Sequence, residues 1–99
     1  MERGGCVYII TNKYRTTLYI GVTSNFPARL FEHTTHAYPN SFTAKYNLKY
    51  LIFYETFFVI EEAIAREKEL KGWKRVRKNK LIESVNPTWK DLSSEVSDW

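Results

Sequence analysis

Two stretches near the N-terminus are dense in β-branched and aromatic residues: Cys6 to Ile10 (CVYII) and Thr17 to Val22 (TLYIGV). That composition suits a pleated surface, and the polar run Thr11-Asn12-Lys13 between them is turn-prone, so the pair predicts a β-hairpin. Side chains alternate across a strand, which sets Tyr8 on the face of Cys6 and Ile10, and Tyr19 on the face of Thr17 and Gly21. Gly21 lacks a side chain, and so either admits a ligand backbone beside Tyr19 or marks a bulge. Just beyond, Ser24 or Asn25 can cap a helix whose first turn accepts Pro27. Arg29, His33 and His36 follow at spacings of four and three, which puts them on one helical stripe with Phe26. Two phenols from a sheet, with a guanidinium and an imidazole from the next helix, make an anion site.

From Ala37 to Lys45 the sequence AYPNSFTAK has no period and predicts a surface loop, from which Lys45 and Tyr46 could reach a ligand. Lys49 to Thr56 (KYLIFYET) is nearly continuous in apolar and aromatic residues, as expected of a strand covered on both faces. Val59 to Gly72 predicts the clearest helix, with acids in its first turns and a glycine at its end. Its apolar stripe runs through Ile60, Ala63, Ile64 and Leu70, and Glu67 falls in the middle of it. An unpaired carboxylate there would cost several kcal/mol, so Glu67 must meet a cation: a metal ion, or a basic partner such as Arg29. Trp73 to Val85 predicts a further helix that offers Val76, Leu81, Ile82 and Val85 to the core and ends at Asn86-Pro87. Asn86 could cap that helix or bind phosphate. Trp89 and Leu92 are expected to pack back, leaving 93–99 as a polar, fraying tail to a domain over 1–92. Three strands with intervening helices give a small α+β layer.

Composition narrows the function classes. The 99 residues suffice for one modest core, and 43% apolar with 16% aromatic content argues for a folded chain. Nothing near the N-terminus opens an apolar leader and no run approaches about 18 apolar residues, so a cytoplasmic protein is the expectation. The single cysteine, Cys6, excludes an internal disulfide and reads as a small buried hydrophobe. The net charge of +4 is local: Lys71, Lys74, Arg75, Arg77, Lys78 and Lys80 crowd into ten residues without an acid. Such a block suggests a polyanion partner or, more blandly, a solvated helix face.

These residues together resemble the GIY-YIG nuclease family, in the short stand-alone form related to the N-terminal domain of the excision-repair nuclease UvrC. Cys6-Val7-Tyr8 stands for the first signature, with Cys6 and Val7 departing from it, and Tyr19-Ile20-Gly21 matches the second. Arg29 and His33 match the family's R-x-x-x-H, Glu67 its helix glutamate and Asn86 its C-terminal asparagine. The resemblance covers about residues 5 to 92. It implies a three-stranded antiparallel sheet flanked by helices, and a metal-dependent DNA endonuclease acting in repair or recombination. By resemblance Tyr8 is the general base, Tyr19 and His33 orient water and phosphate, Arg29 clamps the phosphate, and Glu67 is the one protein ligand of a Mg²⁺ or Mn²⁺ ion. Lys45, Lys71, Lys74, Arg75, Arg77, Lys78 and Asn86 are the expected nucleic-acid contacts. The alternative is a nucleic-acid-binding module without catalysis; a protein-interaction domain would leave Glu67 unexplained. In so short a chain, specificity is expected from DNA shape or from a protein partner.

Overall fold

The computed structural model describes residues 4–96 and 99; the outermost N-terminal residues 1–3 of the expected domain and residues 97–98 of the expected tail lie outside it. The hairpin forms as β1 (Gly5–Thr11) and β2 (Leu18–Thr23), and β3 (Tyr50–Phe57) pairs with the other side of β1. The sheet is antiparallel in the order β2-β1-β3. All seven residues of β1 are buried, as a central strand covered on both faces must be. Asn12 organises the hairpin turn: its Oδ1 accepts from the amides of Thr16 (2.9 Å) and Thr17 (3.3 Å), while Arg15 takes a left-handed φ of 59°.

Each face of the sheet has its own core. Cys6, Tyr8 and Ile10 look towards α1 (Phe26–Thr34), packing with Phe26, Leu30, Leu48, Leu92 and Val96. Val7, Ile9 and Ile20 look the other way, towards Ala63 and Leu70 of α3 (Ile60–Lys71) and Ile82 of α4 (Arg75–Val85). Burial pushes the Cys6 thiol up to about 12, in keeping with an inert core residue.

Several expectations change. The loop after α1 contains a short helix, α2 (Phe42–Lys45), because Ser41 caps it by accepting from the Ala44 amide at 3.2 Å. His36 leaves the Arg29 stripe: α1 ends at Thr34 and His36 sits beyond it at φ 54°. Val76 and Val85 are exposed, at 66% and 64%. α4 leans on the sheet through Ile82 with Leu81 beside it, and Val76 lies about 120° round the helix from Ile82. Nor does the tail fray throughout: Ser93–Val96 form a turn of helix, α5, with Val96 wholly buried, Tyr54 bonded to Glu95 at 2.9 Å, and Trp99 packed on Phe26 and Tyr54.

Asn86 is the residue that closes the β3 edge. Only 2% exposed, it donates from Nδ2 to the carbonyls of Ile52 (3.0 Å) and Lys90 (2.9 Å) and accepts from the Lys90 amide at 3.1 Å. The chain then runs beside β3, where the Leu92 amide reaches the Leu51 carbonyl at 2.7 Å and Asp91 receives the Leu51 amide at 3.1 Å. The backbone groups of Leu51 and Ile52, at the start of that edge, are thereby satisfied. The expectation of a phosphate contact at Asn86 is corrected, since its amide is fully engaged within the fold. Asn86→Ala should orphan buried partners and cost on the order of 3 kcal/mol in denaturant-measured stability, while leaving the salt dependence of nucleic-acid binding unchanged. A flatter salt slope in a stable variant would return Asn86 to the binding surface.

Candidate active site

The site forms around Tyr8, whose cross-strand partner on β2 is Gly21. A Cβ on Gly21 would run into the Tyr8 ring and hydroxyl, so the glycine is explained by neither a bulge nor a ligand: its bare Cα is the space that the phenol occupies. Tyr8 stacks on Phe26, with ring centres 5.1 Å apart, and is 1% exposed. Its hydroxyl lies 2.8 Å from His33 Nε2, and His33 Nδ1 lies 2.8 Å from the Thr43 hydroxyl, itself 3.3 Å from Ser41 Oγ. His33 and Thr43 are both buried. In a neutral imidazole one ring nitrogen donates and the other accepts, so Thr43 and Tyr8 between them fix the ring's orientation.

Tyr19 pairs with Ile10 one step along, with its ring centre 6.2 Å from that of Tyr8 and 5.4 Å from that of His33. Arg29, four residues before His33 on α1, lies against both phenols: burial pulls its guanidinium down, but hydrogen bonding and charge from Tyr8 and then Tyr19 raise it overall. Burial pushes Tyr8 well above the ordinary phenol range, with Tyr19 adding to this and Arg29 opposing it. His33 is driven down to about 4, first by burial and then by the Arg29 charge, with Glu32 acting against them. Arg29 also holds Glu32 at 3.3 Å, and a cavity of about 310 Å³ opens over Arg29, Glu32, His33, Tyr38 and Ser41.

Of the expected site residues, Tyr8, Tyr19, Arg29 and His33 therefore converge. Glu67 arrives from the opposite face of the sheet. Its side chain is 15% exposed, as its place on the stripe implied, and its partner is Lys71 on the same helix at 3.1 Å, not Arg29. Lys71 in turn lines a second cavity, of about 350 Å³, with Tyr19, Leu18, Ile20, Phe42 and Lys78. Glu67 thus stands on the α3 face of the sheet, linked through Lys71 to the cavity that Tyr19 also lines. Asn86, on the far edge at β3, does not join the cluster.

The basic block divides. Arg75 ties α4 to the hairpin turn, donating to the carbonyls of Arg15 (2.6 Å) and Thr16 (3.2 Å) while staying exposed. Arg77 lies over the Trp73 ring at 3.7 Å, with Arg66 also against it at 5.3 Å. Lys45 and Lys74 are exposed, at the end of α2 and at the N-cap of α4. Thr43 and Ser41 are site residues that sequence reasoning missed; only the serine-led start of α2, S-F-T-A, gave a local signal for them.

The GIY-YIG catalytic domain family model matches residues 4–81 of the chain. The protein belongs to the GIY-YIG family. A solution NMR structure of a UPF0213 protein from Bacillus halodurans superimposes with a TM-score of 0.56 at 23% identity, over 88% of this chain and 90% of that one, which supports the fold. No curated protein matches the chain. No helix among the described residues is long and apolar enough to cross a membrane.

The buried imidazole gives this GIY-YIG domain a pH signature. With a folded pKa near 4 against 6.5 unfolded, His33 is protonated more readily in the unfolded chain, so its contribution to stability is present above about pH 6.5 and is lost as pH falls through about 4. At about 1.4 kcal/mol per unit the loss is on the order of 3 kcal/mol. Urea denaturation at stepped pH should show that component in the wild type and lack it in His33→Gln; equal slopes would place the acid sensitivity elsewhere.

Proposed function

We propose that the protein is a metal-dependent endonuclease that hydrolyses phosphodiester bonds in DNA, in repair or recombination in the cytoplasm, with a protein partner supplying specificity. The observation that carries this reading is the closed cluster of Tyr8, Tyr19, Arg29 and His33, two phenols and an imidazole gathered under one guanidinium in a GIY-YIG domain.

Arg29 is suited to grip a phosphate, since its planar fork matches phosphoryl oxygens and its present bond to Glu32 is long and partly exposed. Tyr8 takes a proton from the attacking water while its own hydroxyl proton passes to His33 Nε2; the new P–O bond forms as the bond to the leaving oxygen breaks, and that oxygen takes a proton from solvent water. A neutral His33 is the form that can accept that proton, and the charge of a phosphate in the site raises its basicity from the depressed resting value. Tyr19, half-buried at the cavity wall, orients the water and the phosphate.

Among the described residues no three His, Cys, Asp or Glu side chains gather into a cage for a metal. A single carboxylate does suit a magnesium-type ion, which keeps several waters and takes substrate oxygens. Glu67 would hold it, once Lys71 yields the carboxylate. Bound there, a divalent ion supplies charge neutralisation at the phosphoryl oxygens and acidifies water.

Supercoiled plasmid incubated with purified protein and Mg²⁺, Mn²⁺ or EDTA tests the reading. Glu67→Gln should abolish cleavage and cost under about 1 kcal/mol of stability, because it removes only an i,i+4 pair whose lysine is half-exposed. Full cleavage by that variant would sink the ligand assignment.

Tyr8→Phe should lower kcat by about 10²–10⁴-fold with little change in DNA affinity, and Tyr19→Phe should do so more mildly. Tyr8 is the more deeply buried phenol, so a larger loss in Tyr19→Phe would make Tyr19 the base and Tyr8 its support.

A further inference from the structure

The cavity along the β2 edge carries features that the hydrolytic groups do not use. Phe42 forms part of its wall although it is 48% exposed, with its ring centre 6.1 Å from that of Tyr19 and 4.7 Å from that of Tyr46, which is also 48% exposed. The same short helix turns Thr43 into the core to hold His33, so its place beside the site is fixed while its rings stay in solvent. Lys71 and Lys78 complete the cavity.

Exposed rings framed by ammonium groups match a strand of nucleic acid, whose bases stack on aromatic faces while cations follow its phosphates. In continuous duplex the base faces already cover one another and cannot lie on a protein ring. We propose that this cavity is a stacking subsite for an unpaired base beside the scissile phosphate, with Phe42 and Tyr46 as its platform and Lys71 and Lys78 on the adjoining backbone, so that single-stranded or branched nucleic acid is the preferred substrate. The proposal rests on the nuclease reading above and names its substrate class. It also gives Lys71 two roles. A phosphate that draws the ammonium away from Glu67 frees the carboxylate for the cation, so that loading the strand and loading the metal favour one another. An apolar protein segment would meet the same two lysines across its path, and the charge of the wall favours the polyanion instead.

The test reads binding by fluorescence anisotropy, in EDTA, of a labelled oligothymidine and of a labelled blunt duplex. Phe42→Ala should weaken oligothymidine binding roughly 5- to 150-fold, the equivalent of about 1–3 kcal/mol for one stacked base, and change duplex binding less than about two-fold. Phe42→Trp should restore the affinity, and Lys78→Gln should flatten the single-strand salt slope by about 0.7. Equal losses on both oligonucleotides, or none on either in variants with wild-type far-UV circular dichroism, overturn the subsite. If the wild type cleaves plasmid duplex without any preference for unpaired DNA, the subsite is wrong and the nuclease reading stands. Failure to bind or cleave either form removes both.

Discussion

The rest of the site depends on how the Tyr8 phenol is seated: inside the central strand, over a bare glycine, with its hydroxyl closed onto a buried imidazole. A phenol so placed loses water as a partner, and burial alone makes its ionisation costly. The cost is acceptable because His33 meets the hydroxyl at 2.8 Å and Arg29 places a positive charge beside it. Gly21 is part of the same constraint. Any side chain there would claim the volume of the ring, so the register that pairs Gly21 with Tyr8 sets the position of the phenolic oxygen. Thr43 then holds the imidazole from behind, and a helix of four residues in the loop becomes part of the site.

The two edges of the sheet are treated oppositely, and the difference explains where chemistry can occur. At β3 the chain after Asn86 folds back, satisfies the edge at Leu51 and Ile52 and fixes its own terminal helix there through Leu92 and Val96. At β2 the side chains of both faces are open to one another. Phe42 of α2 from one face and Lys71 of α3 and Lys78 of α4 from the other line one cavity there with Tyr19.

Charge shows the same division between what is written and what is built. Six cations in ten residues invite the picture of a uniform basic face, yet four of them fall into three different settings. Arg75 ties α4 to the hairpin turn, Arg77 covers Trp73, Lys71 holds Glu67, and Lys78 joins it at the cavity. Arginine's planar fork and weak hydration suit the first two tasks, while lysine's mobile stem suits a half-exposed pair with Glu67.

The sequence by itself determined the three strands, the long helices within a residue or two, the anomaly of Glu67 and the four polar side chains at the centre of the site. These follow from periodicity and from local spacing, which act over a few residues: Arg29 and His33 share a helix face, and Tyr8 and Tyr19 share a sheet face once the hairpin forms. Only the tertiary structure decided that Gly21 is a seat for Tyr8, that Thr43 and Ser41 stand behind His33, that Asn86 is a clamp and Arg75 a brace, and that the C-terminal segment through Val96 is core. Those outcomes depend on contacts between residues far apart in the chain, from Ile52 to Asn86 or from Arg15 to Arg75. No local period encodes which of several polar side chains will be buried by such a contact, because burial is a property of the packed whole and not of the residue.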